Sequence, residues 1–418
     1  MTLPTEAQGD PVFGEGFDLT DPALLARGLP VEEFALLRRT CPVWWNEQDH
    51  NLGGGFRDGG YWAITKHEHI REISRDPETW SSHLNGCVMR YSNDVAPEEI
   101  EAAKILMHNS DPPVHTRLRR LISRLFTPRS IDRLEAGLTA CANEIVTATA
   151  SRLEGDFVYD VAQRLPLKAI TDLVGFPESD HDQLFQWINA MMTAEDPELA
   201  DDPRIAMVEL MGYAYEIAAE RKRKPNDDII SRLVAVNDTE GTLSEIEFGY
   251  FIVLLMTAGI ETTRNAVAAG MLAMLSHPSQ WDLYKRTRPV TAIEEIIRWT
   301  TPVNAFQRTA RRDTTIGGVQ IKQGQRVGLF YGSANYDEDV FTEPCSFSII
   351  RDPNPHLGFG GNGPHFCIGA NLARKELTVM FNAIADRLPD IEMISSPTRT
   401  HTGWINGIAT MPVRYNAR

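Results

Sequence analysis

Basic residues are scarce in this 418-residue sequence: 41 lysines and arginines stand against 57 aspartates and glutamates, and the net charge is −16 at pH 7. A nucleic-acid-binding protein usually presents a basic surface, so this charge argues against that class. The first residues, MTLPTEAQGD, lack the basic and apolar regions of a secretory signal. The longest apolar run, residues 251–258, is too short to cross a bilayer. These features predict a cytoplasmic protein with no membrane anchor.

Cysteine is scarce as well. The five cysteines, at positions 41, 87, 141, 345 and 367, are widely spaced and form no CxxC pair. In a cytosolic chain this pattern predicts free thiols rather than a disulfide framework or a zinc site. A free cysteine is usually a small buried side chain, and we interpret four of the five in this way. Cys367 differs because of the loop that surrounds it.

The chain contains no internal repeat, low-complexity segment or Ser/Gly linker. Residues 1–16 are polar and are predicted to be a loose N-terminal segment, followed by a single domain over residues 17–418. Residues 40–66 combine aromatic and β-branched side chains and predict a small antiparallel sheet. The pattern is mainly helical over residues 114–300, and strand-like segments return at 314–330. The predicted fold class is mainly α with a minor antiparallel β portion.

A long apolar helix is predicted from Ser244 to Ser276, because SEIE at 244–247 is a capping box and HP at 277–278 stops the helix. Its length of about 50 Å would cross the whole domain. The segment AGIETT at 258–263 breaks local rules inside it. A helical glycine costs about 1 kcal/mol relative to alanine, and a buried carboxylate is unfavourable unless it is paired. Such conflicts between local rules and burial tend to mark functional sites.

We expect Ala258 and Gly259 to open a groove in this helix and Thr262 to bond back to the carbonyl of residue 258. Glu261 and Thr262 would then lie in an apolar interior, where they could deliver protons to a small polar molecule. The alternative is a kinked helix whose glutamate is paired with a neighbour.

The sequence FGGNGPHFCIG, residues 359–369, places Cys367 among glycines and just before a predicted helix. A helix N-terminus favours the thiolate, and the glycines let the backbone approach a bulky planar ligand. A cysteine protease would need a histidine base and an orienting group, but only His365 is near in sequence. Zinc would need three or four ligands. A haem iron needs one axial thiolate.

FGGNGPHFCIG resembles the cysteine loop of the cytochrome P-450 superfamily. AGIETT resembles the oxygen-activating central helix of that superfamily, and EIIR at 295–298 resembles its ExxR motif. The three motifs occur in the family's order, and the resemblance covers almost the whole chain. It implies a cytochrome P-450 fold, haem b with Cys367 as the axial thiolate ligand, and O2 as co-substrate. It also implies that Glu261 and Thr262 relay protons.

The resemblance assigns further roles. Glu295, Arg298 and Arg351 would form a structural triad that serves folding rather than chemistry. Other residues would contact the haem, four of them (the two histidines and two arginines) at its propionates: His115, Arg119, Ala258, Gly259, Arg308, Phe359, Gly361, His365 and Gly369. The loop departs from the family pattern, since the phenylalanine expected seven residues before the cysteine is Phe359, eight before it. The family pattern therefore does not fix the position of the Phe359 ring over the sulfur.

Several stretches resemble bacterial steroid C26-monooxygenases: WWN at 44–46, residues 53–65, residues 333–338 and the loop around Trp404. This implies hydroxylation of a terminal methyl group of a steroid side chain, of the cholesterol or cholest-4-en-3-one type. The alternative is an omega-hydroxylase of methyl-branched lipids, fatty acids or terpenes. Eight residues are predicted to contact the substrate: Met89, Phe251, Leu254, Leu255, Val303, Phe306, Trp404 and Ile405.

The electrons for such a reaction must come from outside, because the chain carries no Rossmann fingerprint and no CxxC cluster. The resemblance implies a ferredoxin-type donor with its reductase. Basic residues between Arg117 and Arg129, with Arg374 and Lys375, are predicted to attract an acidic ferredoxin, the alternative being a solvated helix face. Two alternative functional classes are a haem-binding sensor and a peroxygenase. Glu261 and Thr262 argue against both, because a sensor would not need this pair and a peroxygenase usually lacks such a relay.

Overall fold

The structure is a computed structural model that describes residues 13–48, 54–92, 95–192, 202–240 and 243–415. Most of the predicted loose segment, residues 1–12, lies outside these ranges, and so do residues 49–53 within the predicted N-terminal sheet.

Helices make up most of the described chain. They are α1 (Pro22–Leu25), α2 (Val31–Thr40), α3 (His67–Arg75), α4 (Pro97–Ala103), α5 (Val114–Ser123), α6 (Pro128–Asp132), α7 (Glu135–Ala150), α8 (Arg164–Val174), α9 (His181–Met192), α10 (Pro203–Arg223), α11 (Ile229–Glu240), α12 (Glu245–Ser276), α13 (Pro278–Thr287), α14 (Ala292–Thr300), α15 (Tyr331–Ala334) and α16 (Ala370–Arg387). Three short 3₁₀ turns and one π turn supplement them: Met107–Asn109, Arg124–Phe126, Glu178–Asp180 and the π turn Val158–Ala162.

The strands are short. They are β1 (Val43–Glu47), β2 (Gly60–Ile64), β3 (Trp80–Ser81), β4 (Glu154–Asp156), β5 (Ala305–Ala310), β6 (Thr314–Ile316), β7 (Val319–Ile321), β8 (Arg326–Phe330), β9 (Glu392–Met393), β10 (Thr398–Arg399), β11 (Ile408–Thr410) and β12 (Pro412–Arg414). The fold class predicted from the sequence, mainly α with a minor antiparallel β portion, is confirmed.

The largest sheet has the order β1-β2-β8-β5-β3. Its β1–β2 pair is the antiparallel hairpin expected between residues 40 and 66, with Val43 opposite Ile64. The sequence did not indicate that β2 pairs in parallel with β8, where Trp62 lies opposite Val327. Local alternation of side chains predicts a strand but cannot choose a partner more than 260 residues away. The β portion therefore combines segments from both ends of the chain.

Helix α12 forms the centre of the main hydrophobic core and packs against α8, α10, α14 and α16. The predicted capping box is present: Ser244 accepts from the Glu247 amide, and Glu247 accepts from the Ser244 amide. Gly270 permits the close approach of α14 and α16, because a Cβ there would lie 2.6 Å from Ile296 and 3.0 Å from Phe381. Helix α12 can therefore pack closely against both α14 and α16 at this point.

The hydrophobicity of α12 bears on the membrane question. Residues 251–258 alone are too few to span a bilayer, yet the whole helix is long and apolar enough by length and composition. Of its most apolar 18-residue window, 56% is buried inside the fold. A buried core helix has the same composition as a membrane span, so this helix by itself does not indicate a membrane segment.

Candidate active site

A large cavity lies between α12 and the loop that carries Cys367. It contains about 1800 Å³ of space between atoms, part of it continuous with solvent, and its lining is mostly apolar. Most residues singled out from the sequence line it: Cys367, Glu261, Thr262, His115, Arg119, Ala258, Gly259, Arg308, Phe359, His365, Gly369, Leu254, Leu255, Val303, Phe306, Trp404 and Ile405. Segments from the middle and the end of the chain thus meet at one space.

Three predicted contacts lie outside this lining. Met89 is fully buried in a separate cluster with Tyr61 and Phe330, against β8. Phe251 lies about one turn before Leu254, where the cavity lining of α12 begins, and packs into the core. Gly361 gives room to α3 rather than to a ligand, because a Cβ there would collide with the side chain of Ser74. Periodicity predicted burial at these positions but not the limits of the cavity.

The groove in α12 has the local geometry expected from the sequence. The Thr262 hydroxyl donates to the Ala258 carbonyl at 2.8 Å, as predicted. Glu261 is almost fully buried, and its Oε1 accepts from Arg264 Nη2 at 2.6 Å and from Asn265 Nδ2 at 2.9 Å. A buried carboxylate is tolerated when it is paired in this way. An acid and a hydroxyl therefore stand side by side on the cavity wall.

The Cys367 sulfur faces the cavity, and the Cys367 amide donates to the Phe359 carbonyl at 3.0 Å. Although Cys367 is exposed to the cavity space, desolvation by the surrounding protein raises the pKa of this thiol above its ordinary value, while a hydrogen bond from the Gly369 backbone and the charge of Arg119 act in the opposite direction. The sequence predicted a lowered pKa from the following helix. Desolvation outweighs that effect in the protein alone, because burial penalises the charged form.

The longer cysteine loop is accommodated at Gly360, which adopts a left-handed backbone with φ of 99°. Phe359 remains on the cavity wall, and its ring lies 4.5 Å from the Arg374 guanidinium and 6.3 Å from the Phe366 ring. Glycine adopts this conformation at no steric cost. The extra residue is thus taken up without moving Phe359 away from the cavity.

The pair predicted from ExxR is present and fully buried. Glu295 accepts from Arg298 Nε at 2.8 Å and from Arg351 Nε at 3.1 Å. The Ser348 amide and Asn354 Nδ2 complete the hydrogen bonds to the same carboxylate. None of these residues lines the cavity. The network therefore joins α14 to the segment before the cysteine loop.

The cavity, the cysteine loop and the Glu295–Arg298 pair have counterparts in known proteins. A cytochrome P450 family model matches residues 290–389, which include the ExxR motif and the cysteine loop. The chain is 52% identical to the steroid C26-monooxygenase of Mycobacterium tuberculosis, over 98% of this chain and 94% of that protein. The chain belongs to the cytochrome P450 family.

More distant relatives share the fold. A methyl-branched lipid omega-hydroxylase of Mycobacterium tuberculosis is 38% identical, over 92% of this chain and 90% of that protein. The solved structure of a Mycobacterium marinum cytochrome P450 in complex with pseudoionone superposes with a TM-score of 0.87 at 35% identity, over 98% of this chain and 100% of that one. As a P450, the protein is a monooxygenase that uses O2 and haem with a cysteine thiolate ligand.

The side chains at one edge of the cavity fit the carboxylates of a haem. His115, Arg119, Arg308 and His365 line this edge, and the hydrogen bonds that the last three make among the described residues go to a hydroxyl or to backbone carbonyls rather than to carboxylates. The two histidine rings lie 4.1 Å apart. Burial, with the charges of neighbouring arginines, lowers the pKa of His115 to about 4 and that of His365 well below its ordinary value. Two cationic arginines and two histidines that can donate hydrogen bonds match two propionates.

Sequence reasoning missed several polar groups in this P450 cavity. His108 and Glu376 both line it, and among the described residues His108 Nδ1 and Glu376 Oε2 have no hydrogen-bond partner. Burial lowers the pKa of His108 to about 4 and raises the pKa of Glu376 to about 8. Cys87 is a second cavity cysteine. No local pattern marks these positions, because their burial arises from segments distant in sequence.

Proposed function

We propose that this P450 hydroxylates a terminal methyl group of a steroid side chain, of the cholesterol or cholest-4-en-3-one type. The observation that carries the proposal is the similarity to a steroid C26-monooxygenase at 52% identity over 98% of the chain. The mostly apolar cavity supports it, since burial of apolar surface is the main source of affinity for a lipid. Leu254, Leu255 and Val303 would contact the substrate with Phe306, Trp404 and Ile405.

The assigned roles follow from the residues around the cavity. Cys367 would hold the haem iron through its sulfur, and His115, Arg119, Arg308 and His365 would bind the haem carboxylates. Haem supplies the iron at which O2 is activated. Thr262 and Glu261 would pass protons into the cavity, while the apolar side chains around them would exclude bulk water. Ala258, Gly259, Phe359 and Gly369 would leave room for the flat macrocycle.

A spectral titration tests the substrate. Adding cholest-4-en-3-one to the haem-loaded protein is expected to convert the iron from low to high spin, since a ligand that fills the cavity displaces water. Products of turnover with surrogate electron donors should carry one hydroxyl at the end of the side chain, measured by mass spectrometry. An unhydroxylated side chain, or no spin shift with any sterol, would exclude the steroid proposal.

A second candidate is omega-hydroxylation of methyl-branched lipids, fatty acids or terpenes. It is favoured by the 38% identity to a methyl-branched lipid omega-hydroxylase. The same titration separates the two, because branched fatty acids would then give the larger spin shift and the higher turnover. A haem-binding sensor without turnover would give spin shifts but no product.

The electrons come from a separate redox partner, which we propose to be a ferredoxin-type protein with its reductase. Several basic residues of the predicted docking surface are paired with carboxylates. Arg117 pairs with Glu247 at 2.7 Å, Arg374 pairs with Glu294 at 2.6 Å, and Lys375 lies within ion-pair distance of Asp132 and Glu135. Arg120, Arg124 and Arg129 are exposed, and no carboxylate in the part of the chain that the structure describes forms an ion pair with them. We name these three arginines the arginine patch.

Reversing the arginine patch should slow electron transfer. With Arg120→Glu, Arg124→Glu and Arg129→Glu together, the rate of reduction by an acidic ferredoxin is expected to fall by about tenfold or more at low salt, because steering depends on opposite charges. Stopped-flow reduction at increasing ionic strength measures this. A matched triple reversal at Arg39, Arg223 and Arg286, which are also exposed, should have little effect. Equal rates and salt dependence in both variants would contradict docking at the arginine patch.

We also propose that residues 17–418 form a single P450 domain and that the enzyme is cytoplasmic without a membrane anchor. The location is supported by the packing of the apolar helix α12 among α8, α10, α14 and α16. The domain is supported by the alignment with single relatives over nearly the whole chain.

A further inference from the structure

Both hydrogen bonds to the Glu261 carboxylate go to the same oxygen atom. Arg264 Nη2 and Asn265 Nδ2 both donate to Oε1, at 2.6 Å and 2.9 Å. Both donors are on α12, one turn after the acid, and all three residues are at most 4% exposed. Within the described chain, Oε2 receives no hydrogen bond, and Glu261 lines the cavity. The second carboxylate oxygen, Oε2, is therefore available to exchange a proton with a group in the cavity.

Asn265 also contacts a second element. Its Oδ1 lies 3.4 Å from the amide nitrogen of Ile408, which donates to it. The neighbouring Gly407 lies between the same amide group and Thr400, because a Cβ there would be 2.6 Å from the Thr400 hydroxyl, 2.9 Å from Nδ2 and 3.0 Å from Oδ1. Asn265 is fully buried, so no water competes for these contacts. A single side-chain amide therefore joins α12 to the chain at 407–408.

That chain is continuous with the residues that line the cavity. We call residues 404–407, which lead directly into β11, the C-terminal loop, and its Trp404 and Ile405 are cavity residues. The far side of the loop is tied to residues 302–304: the Asn304 amide donates to the Trp404 carbonyl at 2.8 Å, and the Asn406 amide donates to the Pro302 carbonyl at 2.9 Å. If substrate displaces the loop, the movement would therefore reach Asn265, whose side chain bonds both the Ile408 amide and Glu261.

We propose that Asn265 is a positioning residue that couples the C-terminal loop to Glu261. The inference rests on the proposed function, in which Glu261 relays protons and Trp404 and Ile405 contact the substrate. Arg264 compensates the charge of Glu261 from within the helix, but within the described residues its side-chain hydrogen bond goes to Glu261 and not to the loop. Asn265 adds the second donor that fixes the plane of the carboxylate, and the backbone at 407–408 fixes Asn265. Small errors in the position of such a group are costly for proton transfer.

A double-mutant cycle tests this coupling. Asn265→Leu keeps the size of the side chain and removes both polar contacts. In the haem-loaded enzyme with surrogate electron donors, the fraction of consumed electrons released as hydrogen peroxide should rise about threefold or more, because the carboxylate loses one of its two hydrogen-bond donors. In a Glu261→Gln background, Asn265→Leu should cause no further rise, because it acts through the acid. Peroxide release is measurable with any compound that shifts the spin state, so the result does not depend on steroid hydroxylation.

A second variant approaches Asn265 from the loop. Gly407→Ala places a methyl group against the Asn265 amide and, closer still, against the Thr400 hydroxyl, without adding to the cavity lining. It should raise the peroxide fraction in the wild-type background and leave it unchanged in the Asn265→Leu background. Gly212→Ala, where a Cβ meets nothing within 4 Å, is the control. Independent, multiplicative effects in either cycle, or an unchanged peroxide fraction in both single variants, would overturn the proposal.

Discussion

Replacing Cys367 by serine is expected to abolish monooxygenase activity and the far red-shifted Soret band of the reduced, CO-bound protein. The thiolate is the iron ligand that gives this band, and a serine hydroxyl cannot replace it. Turnover should fall by more than about a hundredfold, since even outer-shell partners of metal ligands are worth 10–100-fold. The measurement is the absorption spectrum of the reduced protein with CO, followed by product analysis.

Cys87 provides the matched control, because it is the other cysteine of the cavity. Burial raises the pKa of the Cys87 thiol to about 12, and its position has no helix N-terminus beside it. Cys367, by contrast, precedes α16 and receives a backbone hydrogen bond from Gly369 together with the fields of Arg119 and Arg374. These groups would stabilise the Cys367 thiolate once a bound iron offsets the cost of desolvating its charge. Cys87→Ala should therefore keep the thiolate spectrum, and loss of that spectrum in Cys87→Ala but not in Cys367→Ser would reverse the assignment.

The sequence predicted the features that depend on neighbours along the chain. The ends of α12 follow from its capping box and from the His-Pro stop, and the Thr262 bond to Ala258 follows from helical geometry. The Glu295–Arg298 pair follows from their spacing of three residues. Each of these contacts is formed within one element, so the residues alone are enough to place it.

Features formed between elements were not predictable in the same way. The sequence suggested that Glu261 was buried, but not that Asn265 binds it and reaches Ile408. The glycines of the cysteine loop indicated close approach to a ligand, whereas Gly361 and Gly363 admit the backbone and side chain of α3 at Ser74. Which surface approaches a glycine depends on the tertiary fold. The motif therefore located the site but not each residue's neighbour.

Glu295→Gln is expected to destabilise the fold more than it affects chemistry. Both Glu295 and Arg298 have no exposed side-chain surface. The amide has nearly the shape of the carboxylate but no charge, so Arg298 would remain buried without a counter-ion. Breaking a buried ion pair by removing one partner costs about 3–5 kcal/mol. That is a large share of the roughly 5–15 kcal/mol by which proteins are stable. We expect a low yield of haem-loaded protein and an earlier midpoint in urea unfolding.

The same change at an exposed pair provides the control. Glu154 pairs with Arg414 at 2.8 Å, with both side chains substantially exposed, so Glu154→Gln should leave the urea midpoint nearly unchanged. Because Glu295, Arg298 and Arg351 lie outside the cavity lining, the fraction of Glu295→Gln that does fold should bind substrate and couple electrons to product as the wild type does. A variant with wild-type stability and lost turnover would instead place this network in the chemistry. Equal substrate affinity and peroxide release per folded molecule, alongside a shifted midpoint, would assign it to folding.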